Sequence, residues 1–96
     1  MTEQAIWRGL IVAESSDCIV VEGNHYFPPG DVKKEYLVSS DKETICPWKG
    51  RAEYYNLVAQ RTSVENVAWS YPEPKDKAQQ IKEYIAFADQ IKVEEK

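Results

Sequence analysis

Short apolar runs broken by small polar clusters organise the chain from Ala5 onward. In the first third, Ala5 to Trp7, Leu10 to Glu14 and Cys18 to Glu22 are rich in Ile and Val, which favours strands. Ser15-Ser16-Asp17 predicts a turn, so the second and third runs are expected to form an antiparallel hairpin. Gly23-Asn24 then closes the next corner. Pro28-Pro29-Gly30 stops a strand because proline has no amide donor, and Asp31 is placed to cap a short helix through Val32 to Leu37. Ser39-Ser40-Asp41-Lys42 reads as a turn, after which Thr44-Ile45-Cys46 leads into a Pro-Trp-Lys-Gly corner.

A long strand is expected from Ala52 to Ala59. Ala52, Tyr54 and Val58 face one side and Tyr55, Leu57 and Ala59 the other, a strand covered on both faces and central in its sheet. Val67, Trp69 and Tyr71 alternate with Ala68 and Ser70, predicting a strand that returns after a turn over Arg61 to Asn66. Pro72-Glu73-Pro74 is a break. Lys75 to about Tyr84 then predicts a helix with Ala78 and Ile81 on one face, followed by extended chain ending with Ile91 to Glu94. The order of elements predicts an α+β, mainly β fold: a single domain over residues 1–96, with a twisted antiparallel sheet and two short helices.

Composition narrows the partners. Ninety-six residues suffice for one modest core. The net charge of -4 has the wrong sign for affinity built on phosphate neutralisation, so no nucleic-acid partner is expected. Cys18 and Cys46 form no paired-cysteine motif, and no structural zinc is expected. No apolar run approaches bilayer length, and Met1-Thr2-Glu3-Gln4 lacks a signal-peptide start, which predicts a soluble cytoplasmic protein with free thiols and no membrane partner.

The chemistry concentrates in Cys46-Pro47-Trp48-Lys49-Gly50-Arg51-Ala52-Glu53-Tyr54-Tyr55. Gly50 lets the backbone approach a ligand, and Lys49 offers a compact cation for phosphate or carboxylate. Trp48, Tyr54, Trp69 and Tyr71 supply flat rings for a planar molecule, and His25 and Glu22 supply polar contacts. Only one of Tyr54 and Tyr55 can line such a face, because neighbours on a strand point to opposite sides. The same residues would equally serve as a tight turn over an aromatic core. Cys46 and His25 are a thiol and imidazole that would support nucleophilic catalysis only within hydrogen-bond reach.

Together with Val20-Val21-Glu22-Gly23-Asn24-His25-Tyr26-Phe27-Pro28-Pro29 and Ala68-Trp69-Ser70-Tyr71-Pro72, this stretch resembles the family catalogued as domain of unknown function 427. The blocks keep the family's order from about Trp7 to Val93. The resemblance implies the family's fold and its nucleotidyltransferase-like label. Such transfer normally sets carboxylates on Mg²⁺ and grips a triphosphate with a glycine-rich or basic loop. Ser15-Ser16-Asp17 and Ser39-Ser40-Asp41 each supply one Asp without a second at suitable spacing. Glu22, Asp31 and Glu35 would have to converge through folding.

The expected function is therefore binding of a small anionic or planar molecule in an aromatic, Lys-bearing pocket. The alternatives are a Mg²⁺-dependent nucleotidyltransferase-like enzyme, using Glu22 and Glu35 as metal or base groups, and a homo-oligomeric or protein-interaction module.

Overall fold

The computed structural model describes residues 1–96. Its nine strands are β1 (Glu3–Trp7), β2 (Leu10–Ser15), β3 (Ile19–Val21), β4 (Asn24–Tyr26), β5 (Leu37–Cys46), β6 (Gly50–Ala59), β7 (Thr62–Ser70), β8 (Ile85–Phe87) and β9 (Lys92–Glu95). They form a three-stranded sheet in the order β2-β1-β9, the two-stranded hairpin β3-β4, and a four-stranded sheet in the order β5-β6-β7-β8. All the strand pairs are antiparallel.

Two-residue turns fix three hairpins. Arg8-Gly9, Glu22-Gly23 and Gln60-Arg61 each hold both central residues at positive φ, the turn geometry that matches strand twist. The Arg8-Gly9 turn folds β2 back on β1, which corrects the expected pairing of the second and third apolar runs. Ser15 Oγ instead accepts the Asp17 amide at 2.9 Å as the chain leaves that sheet. The return from β6 is made at Gln60-Arg61, earlier than the expected Arg61 to Asn66 turn. Residues Thr62 to Asn66 already belong to β7.

The two expected helices are not formed. Between Pro28 and Leu37 there are only single 3-10 turns at Pro29–Asp31 and Lys34–Tyr36. Val32 is drawn into an extended conformation, where it bridges Ala13, and the Lys33 amide donates to the Val12 carbonyl at 2.8 Å. The Lys75 to Tyr84 segment contains a 3-10 stretch, Asp76–Ile81, interrupted at Ala78 with φ of -117°. In so short a segment, burial of Ala78 and Ile81 and the β8 pairing override helix propensity.

Ser39-Ser40-Asp41-Lys42 lies within β5 rather than in a turn between elements. Ser40 to Lys42 bulge opposite Tyr54, between the pairs Ser39↔Tyr55 and Glu43↔Glu53. The turn chemistry survives locally, since Ser40 Oγ accepts the Lys42 amide at 3.1 Å. A facing irregularity in β7 puts Asn66 at a φ of 57°, with its amide on Asn56 Oδ1 at 2.9 Å. The Ser40 hydroxyl reaches the Asn66 side chain, tying the two bulges together across β6.

Two apolar clusters flank the four-stranded sheet. The first joins Ala5, Trp7 and Val12 of the smaller sheet to Leu57, Val67, Ile85 and Phe87. Phe27 and Phe87 meet edge to face there, with centroids 5.6 Å apart. The second gathers Val21, Tyr26, Ala52, Tyr71, Ala78, Ile81 and Ala86. Along β6, Tyr55 and Leu57 join the first cluster and Ala52 and Tyr54 the second, the expected two-faced central strand. Paired backbone amides and carbonyls at Phe27 and Ile85 dock the β3-β4 hairpin on β8, over the second cluster. No helix is long and apolar enough to cross a membrane.

Candidate functional site

Cys46 and Gly50 are register partners, so Pro47-Trp48-Lys49 is the loop joining β5 to β6. Gly50 has a φ of +110°, and its open side faces Glu73, Pro74 and Lys75 at 3.5 to 3.7 Å. The Lys75 amide donates to the Lys49 carbonyl at 3.0 Å, and Lys75 Nζ donates to the Pro47 carbonyl at 2.8 Å. This clamp from the Pro72 to Lys75 segment holds the loop, and the Lys49 side chain runs into the protein.

Lys49 is only 5% exposed. Its ammonium pairs with the carboxylate of Glu22 and lies 5.2 Å from the Trp48 ring centroid and 5.5 Å from that of Tyr71. Glu22 is the first residue of the β3-β4 turn, so its backbone conformation carries the carboxylate over the loop. Burial pulls the Lys49 pKa down, but Glu22 and the phenols of Tyr26 and Tyr71 more than offset this, and the net shift is upward. The hydrogen bond from Lys49 holds Glu22 below the ordinary carboxylate range, with a smaller contribution from the Trp48 side chain. The amine is therefore a fixed cation at neutral pH and not a nucleophile.

Tyr26 and Tyr71 are both buried. Burial raises the pKa of each phenol against the opposing pull of Lys49, so both remain neutral at physiological pH. The aromatic set extends through the Trp69 indole, which donates to the Tyr26 hydroxyl at 3.2 Å. The Trp69 and Tyr54 rings are tilted by 37° with centroids 6.0 Å apart. Tyr54 in turn shares a 3.2 Å hydrogen bond with Thr44 and lies under the Lys42 ammonium at 4.6 Å.

Glu22, Trp48, Lys49 and Tyr71 are thus brought together directly, and Trp69 and Tyr54 join them through Tyr26. Sequence reasoning missed Tyr26 as a site residue. Its signal is positional: a two-residue turn at Glu22-Gly23 places Tyr26 opposite Ile19 on the buried face of the same hairpin that carries Glu22.

His25 stands apart. Its neighbour Tyr26 faces the aromatic cluster, whereas His25 Nδ1 abuts the Glu3 carboxylate without the alignment of a hydrogen bond. Glu3 also acts on Cys18, whose thiol is pushed up to about 12 by burial, with Glu3, Asp31 and Asp17 adding to the shift. Cys46 packs instead with the aromatic cluster. The thiol that shares a neighbour with His25 is therefore Cys18, and it is protonated and unreactive.

Two concavities lie near these groups. One of about 260 Å³ opens at the β5 bulge, among Ser40, Asp41, Lys42, Glu53 and Tyr54, and meets the aromatic set only at Tyr54. Another of about 260 Å³ is bordered by Asn24, His25, Phe87 and Asp89. Lys49 opens into neither, and Glu22 covers its ammonium. No three His, Cys, Asp or Glu side chains are grouped to hold a metal ion.

The family described as Domain of unknown function (DUF427), labelled NTP_transf_9, matches residues 2–96, and the chain belongs to it. No curated protein matches the chain.

Proposed function

We propose that this DUF427 member is a binding domain for a small anionic ligand with a planar part, taken at the Trp48-Lys49 corner. The observation that carries the reading is the buried Lys49 ammonium, set between the Trp48 and Tyr71 rings with one half-exposed carboxylate as its ion-pair partner. A cation kept out of water and facing aromatic walls favours an anion more strongly than a solvated lysine does. Trp48 is itself partly exposed and offers a stacking face. Tyr71, Trp69 and Tyr54 form the wall behind it, and Glu22 supplies the polar contact at the rim. His25 lies too far round the hairpin to be the centre of this site.

Recognition suits these groups better than turnover. Lys49 stays protonated, Tyr26 and Tyr71 stay neutral, and the Cys18 thiol keeps its proton. The family label favours a second reading, Mg²⁺-dependent nucleotidyl transfer. Thermal shifts against nucleotides, sugar phosphates and small organic acids, with and without Mg²⁺, separate the two. A metal-independent shift lost in Lys49→Met supports binding, whereas a Mg²⁺-dependent shift with a nucleoside triphosphate supports transfer. No shift with any probe would point to a homo-oligomeric or protein-interaction role. Free Cys18 and Cys46 favour a reducing compartment, and we place the protein in the cytoplasm.

A further inference from the structure

Lys49 and Glu22 are unequal partners. The lysine side chain is 7% exposed and that of Glu22 is 53% exposed, so the cation is fixed while the anion can return to water. Glu22 rides on the tip of a hairpin whose strands are three residues each, whereas the Lys49 loop is clamped by Lys75 on two sides. The Trp48 side chain adds to the hold on the same carboxylate and leaves part of its ring open. An ammonium and an indole converging on one carboxylate make a small receptor, and its present occupant is the protein's own side chain.

We infer that Glu22 is a built-in competitor, and that the ligand of this corner is an aryl or otherwise planar carboxylate whose carboxyl group displaces that of Glu22 from Lys49. This rests on the reading of Lys49 as an anion site and goes on to name the anion. The incoming carboxylate replaces one ion pair with another, and Glu22 is released to solvent. The planar framework lies on the exposed part of Trp48 and supplies the affinity that the exchange of carboxylates does not.

A phosphate fits less well. It brings three acceptor oxygens and a larger charge, for which the corner offers a single free ammonium. Lys75, the nearest other cation along this loop, is already turned to the Pro47 carbonyl. Because the site is vacant for a ligand only in the fraction of molecules with Glu22 displaced, the apparent affinity is reduced by that fraction.

The test is an NMR titration of the Trp48 indole N–H with benzoate, benzamide and inorganic phosphate, on the wild type, Glu22→Gln and Lys49→Met. Benzoate should shift the resonance, and benzamide and phosphate should not. Glu22→Gln should tighten benzoate about tenfold by weakening the internal competitor, and Lys49→Met should abolish binding. Equal benzoate affinity in the wild type and Glu22→Gln overturns the competitor role and leaves the anion site standing. Phosphate binding tighter than benzoate overturns the carboxylate class alone. Failure of every anion in both proteins removes the anion site as well. Should Glu22→Gln not fold, Glu22→Asp keeps the charge on a shorter arm, and it must also tighten benzoate for the inference to survive.

Discussion

The indole N–H of Trp69 donates to the hydroxyl of Tyr26 across 3.2 Å, joining β7 to the β3-β4 hairpin. The bond spans 43 positions of sequence and fixes the hairpin that carries Glu22 over Lys49. Tyr26→Phe would leave the indole donor without this partner in a largely apolar setting. The expected cost is about 1 to 2 kcal/mol. In a domain of this size that lowers the melting temperature by roughly 4 to 8 °C per kcal/mol. Thermal unfolding by circular dichroism measures it, and an unchanged midpoint would show that the bond adds nothing to stability.

The ion pair responds differently to loss of each partner. Lys49→Met replaces a buried ammonium with an apolar chain among rings and leaves Glu22, which is half exposed, to water. Glu22→Ala leaves the ammonium buried without its partner, the more costly outcome. Glu22→Ala should therefore melt below Lys49→Met. The reverse order would mean that the lysine is solvated in solution.

The same pair sets a pH window. The Glu22 pKa is lowered on folding by Lys49, so its contribution is present above the unfolded carboxylate value and is lost as pH falls through the lowered one. The Lys49 pKa is raised, so its contribution is present below the unfolded amine value and is lost as pH rises through the raised one. The difference in melting temperature between the wild type and Lys49→Met should be flat at intermediate pH and change at both extremes. A difference independent of pH would contradict the pairing.

Cys18 should resist alkylation. Raising its pKa from 9.0 to about 12 lowers the thiolate fraction roughly a thousandfold at neutral pH. Mass-spectrometric mapping after iodoacetamide treatment should find Cys18 far less modified than free cysteine in the same tube. Labelling at the free-thiol rate would show that the segment around Cys18 opens readily.

Gly50→Ala probes the corner's backbone. An added Cβ would meet its neighbours at ordinary contact distances of 3.5 to 3.7 Å, so the penalty comes from the φ of +110°. Such a conformation costs a non-glycine residue about 1 to 3 kcal/mol. Denaturant unfolding should report a loss in that range, and a neutral result would mean that the loop relaxes to a negative φ.

The legible parts of the fold were those governed by local alternation. The strand over Ala52 to Ala59, its central place and the split between Tyr54 and Tyr55 all follow from a period of two along one segment. The pairing of Trp69 beside Tyr54 follows from the next hairpin. The partner of β2 was not legible, because Arg8-Gly9 and Ser15-Ser16-Asp17 both carry turn chemistry and only tertiary packing selects between them. Val32 to Leu37 and Lys75 to Tyr84 have helical composition, but bridges to Ala13 and Tyr71 draw these segments into other conformations. In the site, the residue types around Lys49 pointed to one corner. Its burial and the intervention of Glu22 depend on how a distant hairpin docks, which no local pattern encodes.

The outer pairing of β1 with β9 sets a timetable for assembly. Glu3 lies opposite Glu95, and the Lys96 amide donates to the Thr2 carbonyl at 2.8 Å. On the ribosome β1 emerges early and can fold against β2, but its second edge stays open until almost the whole chain has left the exit tunnel. Throughout that interval its unpaired amides and carbonyls are available to any other extended segment. The last strand is thus a latch on the first, and truncating residues 92–96 would leave a long-folded edge exposed for the life of the protein.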